Sequence, residues 1–325
     1  MTGSSLKETL SVAMVCHRSG DIEKAELHYR RALSLNPHEP DALYYLGLIV
    51  DQRGDSTQAI ELIRRAVEVR TDDPARWNNL GNLLNESDQL AEAIKAYREA
   101  IDLMPTHINA NYNLGLALLK LGEADDAVAA LRQTVELMPH DAECWNSLGE
   151  ALTRAQSFEE ALEAFRTSYR LDPQLAEACN NLGLALLDLG DSQSAIEHFH
   201  EALRLSPGMP EGLSNLARTR RFERSNRSEL DEMMAALENP SLDERGKTLL
   251  HFAIGKVFDD CGDYELAFEH YRAGNDLKAQ RVNFDEQRHA EFVKRTTDVF
   301  DTNMISRLAR FGSDSETPGF IVGLP

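Results

Sequence analysis

The chain reads as an all-α protein, a solenoid of antiparallel helix pairs stacked into a right-handed superhelix, and three periodic rows carry that expectation. Gly47, Gly81, Gly115, Gly149 and Gly183 follow one another at steps of 34 residues, each preceded by leucine. Ala25, Ala59, Ala93, Ala127, Ala161 and Ala195 keep the same step, as do Pro105, Pro139, Pro173 and Pro207. A fixed period of this length marks a helical repeat array, in which no unit buries its own apolar face and stacking is obligatory.

Each element follows from residue types at fixed offsets. On the first helix of a unit, Trp77, Leu80 and Gly81, and again Trp145, Leu148 and Gly149, stand at i, i+3 and i+4 and so share one face. Glycine at that position lets the second helix come close. On the second helix, Ala93 and Tyr97, Ala161 and Phe165, and Ala195 and Phe199 lie four residues apart, and the ring is expected to fill the space the alanine leaves. Ala100 and Ala202 repeat the small contact toward the next unit. The prolines close the second helix, because proline disfavours helical geometry in the residue before it and cannot donate to the ladder. Thr71 interrupts the proline row, with Pro74 soon after. Gly20-Asp21, Gly54-Asp55 and Gly190-Asp191 mark turns within units, a C-terminal glycine followed by an acidic residue that opens the next helix. Six units are expected over residues 1–209, from Leu6 to about Met209.

The interval, the Trp-x2-Leu-Gly run, the Ala-x3-aromatic run and the closing proline together resemble the tetratricopeptide repeat. That resemblance implies a concave groove lined by the first helices.

Composition fits a soluble cytoplasmic protein: of 325 residues, 42% are hydrophobic and 27% charged, enough apolar material for a core. The formal net charge of -20 repels phosphate backbones and anionic membranes, which disfavours nucleic acid and leaves proteins as the expected partners. No apolar run approaches the roughly 20 residues needed to cross a bilayer. The short stretch Leu10 to Cys16 lacks the basic flank and cleavage site of a leader, so the mature chain is expected to begin at or near Met1. Cys16, Cys144, Cys179 and Cys261 are scattered without Cys-x-x-Cys spacing and read as small core residues of a reducing compartment.

Beyond the array the register changes. Residues 210–247 read as a degenerate seventh unit and connector: Pro210 to Arg220 begins like a first helix with Leu213, Leu216 and Ala217, and an arginine-rich stretch follows with Arg218, Arg220, Arg221, Arg224 and Arg227. That stretch reads as a solvated connector neutralising nearby carboxylates rather than a nucleic-acid site. Ser228 is expected to cap a helix through Leu237, and Ser241 with Glu244 to form a capping box that opens another. Residues 248–313 carry a repeat-like hairpin with Ile254-Gly255, Ala267 and Tyr271, plus a further helix. Gly183 to Gly255 and Ala195 to Ala267 both span 72 residues, two periods plus a four-residue insertion.

The segment from His251 to Lys256, then Asp259 to Tyr264, Ala267 to Tyr271 and Gly274-Asn275, resembles the connector of bacterial tetratricopeptide-repeat sulfotransferases. The tail 314–325, ending Pro318-Gly319-Phe320-Ile321-Val322-Gly323-Leu324-Pro325, resembles the first strand of their catalytic domain. In that family an Arg-Ser-Gly-Thr-Thr loop follows, which cradles the phosphosulfate of phosphoadenosine phosphosulfate. The resemblance implies a relative truncated before that loop, or the N-terminal fragment of an active sulfotransferase. A strand-forming run such as Phe320 to Val322 has no partner strand in the rest of the sequence.

No catalytic residue, cofactor or metal site is expected in this chain. His198 and His200 stand at i, i+2 on a helix, whereas a helical metal pair needs i, i+3 or i, i+4. His270 reads as a packed or solvated side chain, and Cys144 and Cys179 as packing residues rather than a redox pair. There is no phosphate-loop lysine motif and no nucleophile elbow.

The candidate binding site is a double row on the first helices. Two residues before each motif glycine stand Tyr45, Asn79, Asn113, Ser147 and Asn181, with Asn215 at the same phase before Ala217, and beside them Tyr44, Asn78, Tyr112, Asn146, Asn180 and Ser214. Asparagine is a mediocre helix former, so its return at one phase needs a cause. One reading is that the amides hydrogen-bond between neighbouring helices and fix the stacking. The other is an asparagine ladder that binds the backbone of an extended peptide, resembling the groove of the repeat domain in O-linked N-acetylglucosamine transferases. The peptide-binding set is Tyr44, Tyr45, Asn78, Asn79, Tyr112, Asn113, Asn146, Asn180, Asn181 and Asn215. A stand-alone assembly scaffold is the remaining alternative.

Overall fold

The computed structural model describes residues 5–223, 227–281 and 286–299, and among them the chain is entirely helical. Six hairpins come first: α1 (Leu6–Arg18) with α2 (Ile22–Leu35), α3 (Pro40–Gln52) with α4 (Ser56–Val69), and α5 (Pro74–Glu86) with α6 (Leu90–Leu103). Then come α7 (Ile108–Leu121) with α8 (Ala124–Leu137), α9 (Ala142–Arg154) with α10 (Phe158–Leu171), and α11 (Ala176–Asp188) with α12 (Ser192–Leu205). Each second helix packs on its own first helix and on the first helix of the next unit, which buries one continuous core. The first helices α5, α7, α9 and α11 also touch one another directly in succession, whereas successive second helices do not approach to that degree. The array therefore curves with its first helices inside, and they form its concave surface.

Close approach within a unit rests on the glycine row. A methyl group on Gly81 would lie 2.5 Å from the Tyr97 ring, on Gly149 2.5 Å from Phe165, and on Gly183 2.8 Å from Phe199. Ile63 and Leu131 occupy the same place against Gly47 and Gly115. The expectation that the ring fills the space left by the alanine four residues earlier is thus corrected: the ring seats on the glycine of the facing helix. The alanines Ala93, Ala161 and Ala195 are themselves almost fully buried, where a larger side chain would hold the helices apart.

Turns inside the units need a left-handed residue. Gly20, Gly54, Gly122 and Gly190 supply it with φ between +81° and +92°, while Asp88 and Gln156 adopt φ of +59° and +61° at the corresponding points of the third and fifth units. A side chain in that conformation costs about 1 kcal/mol. Asp21, Asp55 and Asp191 cap the helices that follow, accepting from the backbone amides of Lys24, Gln58 and Ser194.

The C-terminal part departs from the pattern. The helix α13 (Pro210–Thr219) buries Leu213, Leu216 and Ala217 against the array as expected of a seventh first helix. Its successor α14 (Arg227–Leu237) packs mainly on α15 (Glu244–Asp260) and hardly on α13. Ser228 lies inside α14 and is not its cap. The cap of α15 is Asp243, whose carboxylate accepts from the Gly246 amide, in place of the expected Ser241; an ionised carboxylate is the stronger acceptor at a helix N-terminus. That helix begins at Glu244, four residues before the expected start of the hairpin at 248. Gly246 meets Pro210, and the Lys256 ammonium donates to the Arg220 carbonyl, so α15 runs parallel to α13 at an offset of 36 residues. Phe222, fully buried, is locked between them by its amide donating to Asp260. Within the arginine-rich stretch, Arg220 pairs with Glu229 and lies over the Phe222 ring. The hairpin of α15 with α16 (Tyr264–Arg281) restores the unit's internal contact, Gly255 against Tyr271. The final described helix is α17 (Glu286–Val299), exposed over 287–297. Arg224 and the tail 314–325, with its expected strand, lie outside the described residues.

Candidate functional site

Five successive first-helix contacts carry the same hydrogen bond, from a residue to one 35 positions earlier or later. Asn79 donates to the Tyr44 hydroxyl, Asn113 to Asn78 Oδ1 at 3.4 Å, Asn181 to Asn146 Oδ1 at 3.1 Å and Asn215 to Asn180 Oδ1 at 3.0 Å. At the remaining contact the hydroxyls of Tyr112 and Ser147 meet at 3.2 Å. At that contact a long side chain on one helix faces a short one on the next, so the ladder runs unbroken from α3 to α13. A second acceptor one turn along reinforces two rungs: Asn113 also donates to Asn82 Oδ1 at 2.9 Å, and Asn181 to Glu150 Oε1 at 3.1 Å. Tyr97 on the second helix donates to the same Asn82 oxygen, tying the ladder to the core.

The rows differ in what they leave open. Tyr44, Asn78, Asn146, Asn180 and Asn215 are buried between helices, where an unpaired amide would cost about 1–3 kcal/mol. Tyr45, Asn79, Tyr112, Asn113 and Asn181 are half-buried. Tyr45 stacks on Tyr29 with ring centroids 5.7 Å apart, and the Arg76 guanidinium lies over Tyr44. Desolvation raises the Glu150 carboxyl pKa against the opposing pull of the Asn181 amide and of Arg154 and Arg245. Desolvation also raises the phenols of Tyr44 and Tyr112, against the pull of Asn79 and Ser147 respectively, so both hydroxyls remain protonated at neutral pH. Toward α15 the surface deepens into a concavity of about 680 Å³ bounded by α9, α10, α11, α13 and α15.

Residues 18–74 and 112–176 match a family model of the tetratricopeptide repeat, residues 176–209 match a second, and residues 81–122 match a TPR-repeat model, together more than half of the chain. The chain belongs to the tetratricopeptide-repeat family. A curated relative from Aquifex aeolicus (strain VF5), an uncharacterized protein, is 30% identical over 99 residues, which is 29% of this chain and only 13% of that relative's length. Among solved structures, the Cut9–Hcn1 hetero-tetramer of the APC/C matches 84% of this chain and 52% of that chain, with a TM-score of 0.55 and 19% identity. Pseudomonas aeruginosa PilF matches 66% and 97%, at 0.52 and 20%. YrrB, described as a TPR protein with an unusual peptide-binding site, matches 57% and 95%, at 0.51 and 22%. At these identities the likeness is one of fold.

The outer surface of this tetratricopeptide array carries a second ladder, which the motif reading passed over. Arg64 pairs with Glu92, Arg98 with Asp126 and Arg132 with Glu160, each 28 positions on and at 2.7, 3.0 and 2.5 Å. The signal was in the sequence: Arg30, Arg64, Arg98, Arg132 and Arg166 recur at the repeat period. Where the acid is missing, at Gln58 and Ser194, the arginine turns to its own helix, Arg30 to Glu26 and Arg166 to Glu163.

Burial pushes the thiols of Cys144 and Cys179 up to about 12 and about 11, which leaves almost no nucleophilic thiolate at neutral pH. His198 packs edge-on against Tyr169 while His200 is exposed, so the two do not converge. His270 meets His251, Nδ1 to Nδ1 at 3.1 Å, one ring donating and the other accepting. Among the described residues no three His, Cys, Asp or Glu side chains cluster as a metal would require, and no helix is long and apolar enough to cross a membrane.

Proposed function

We propose that this protein is a cytoplasmic peptide-binding tetratricopeptide solenoid that holds an extended polypeptide along the concave surface, and that it is not itself an enzyme. The observation that carries the reading is the half-open amide row. Asn113 spends its amide hydrogens on Asn78 and Asn82, and its Oδ1 accepts from no group among the described residues, so it is available to a peptide N–H. Asn181 lines the concavity of about 680 Å³, and Asn79 is half-buried at the same phase of α5. One amide bond nets about 0.5–1.5 kcal/mol, whereas micromolar affinity needs about 8 kcal/mol. Side-chain contacts with Tyr45, Tyr112 and the deep end of the groove would supply the rest.

The test uses a peptide selected from a random library on the full chain. Asn113→Ala and Asn181→Ala, with helicity intact, are expected to weaken it at least about tenfold. Asn78→Ala, which removes a buried stacking group, is expected to lower the melting temperature while leaving affinity nearly unchanged. Unchanged affinity in the Asn113 and Asn181 variants would overturn the proposal.

The likeness of residues 251–275 to the connector of repeat-containing sulfotransferases extends the reading: in a longer product the bound peptide would be the substrate recruited for sulfuryl transfer. Intact mass of the endogenous protein separates the two. A mass equal to that of the 325 residues supports a free-standing binder, and one larger by a domain supports the recruiting role.

A further inference from the structure

On the outer face every arginine in the row finds a carboxylate. On the inner face three do not: Arg154 on α9, Arg218 on α13 and Arg245 on α15 are exposed, border the same concavity of about 680 Å³, and form no ion pair among the described residues. Four carboxylates, Glu150, Glu177, Asp188 and Glu211, stand around that concavity without closing a salt bridge, and for three of them the placement gives a reason. Glu177 and Glu211 are second residues of α11 and α13, where the helix end itself favours an anion. Glu150 accepts from Asn146 and Asn181. The charges of Arg154 and Arg245, from two different helices, both reach the Glu150 carboxyl without closing a salt bridge. Apolar surface from Phe158, Leu184 and Leu249 borders the same space.

We propose that this deep end of the groove binds an acidic side chain of the docked peptide, an Asp or Glu next to an apolar residue, through Arg154, Arg218 and Arg245. The proposal rests on the peptide-binding reading of the groove and adds the ligand's chemistry to it. A guanidinium offers a planar fork of donors matched to a carboxylate, and all three of these forks are without a salt-bridge partner among the described residues. The site exists because α15 lies parallel to α13 and brings Arg245 to the end of a row that α9 and α13 begin. The regular array contributes Arg154 alone from α9 and α11.

The test is selection of a phage-displayed random 12-residue library on the full chain, followed by resynthesis of the selected peptide with an amidated and with a free C-terminus. Enrichment of Asp or Glu beside an aliphatic residue is expected, with binding weakened at least about tenfold by Arg218→Gln with Arg245→Gln. The charge-reversed pair Arg218→Glu with Arg245→Glu is expected to shift the selection toward lysine-bearing peptides. These side chains are exposed and unpaired, so melting temperature should hold in both variants. Peptides that lose binding on Asn113→Ala but show no acidic enrichment and ignore the arginine variants would overturn this proposal while leaving the groove reading intact. No selected peptide at all would overturn both. Binding by the free-acid peptide only would assign the arginines to a terminal carboxylate and overturn the side-chain claim.

Discussion

The inner and outer faces of the array are both stitched by periodic polar ladders, yet they hold the repeats together in different ways. Inside, amides and hydroxyls bond between buried or half-buried positions, where water competes less and a missing partner at a buried position leaves an orphaned group. Outside, Arg98 and Asp126 keep 54% and 62% of their side-chain surface exposed, and Arg132 with Glu160 is similar. Exposed ion pairs of this kind contribute about 0.2–1 kcal/mol and are screened by salt. The inner ladder should therefore govern stacking stability, and the outer one the solubility of an acidic chain and its sensitivity to ionic strength.

The largest effect should come from the contact that brings the two faces together. Gly149→Val places a branched side chain where even a methyl would stand 2.5 Å from the Phe165 ring, and should cost about 3 kcal/mol in chemical denaturation, against which the gain in helix propensity is small. Next comes the inner ladder. Asn180→Ala leaves the Asn215 amide without its acceptor and should cost about 2 kcal/mol, largely recovered when Asn215 is replaced as well, at any salt concentration. A double-mutant cycle that shows no coupling between Asn180 and Asn215 would reduce the ladder to geometry without energy.

Acid should act on neither ladder first. Desolvation holds the imidazoles of His251 and His270 below their ordinary pKa, helped at His251 by the His270 charge and opposed at His270 by Glu269. Between the ordinary value near 6.5 and the lower folded value, the unfolded chain binds more protons, so stability falls as pH drops through that window. Hydrogen exchange should report the loss in α15 and α16 while α3 to α10 stay protected, and His251→Gln should flatten the dependence. Glu150 has the opposite sign: its raised pKa means that the charged form is disfavoured, so Glu150→Gln, which keeps an oxygen for Asn181, should modestly raise the melting temperature at pH 7. The smallest effect belongs to the outer face. An Arg98 and Asp126 cycle should give about 0.5 kcal/mol at low salt and nothing measurable at 1 M, where the screening length is about 3 Å.

Much of this architecture was legible in the residues. The glycine, alanine and proline rows announced six hairpins, and the change of step to 72 residues announced that the last hairpin stands apart. The caps were less legible: Ser241 had the right spacing, but Asp243 was the better acceptor at the place where the helix begins. The ring at Tyr97 was paired with the wrong small residue because sequence spacing shows neighbours along a helix, while the empty space lay across it on Gly81.

By itself the sequence determined the period, the helical class and the rows of like residues, because a repeat of 34 leaves its mark on every position at once. Only the tertiary structure decided which row meets which. The offsets of 35 on the inside and 28 on the outside come from how one unit is rotated and shifted against the next, a property of packed surfaces that no single position encodes. The same packing, with α15 parallel to α13, gathers three arginines from distant parts of the chain beside one concavity, and spacing alone could not have brought them together.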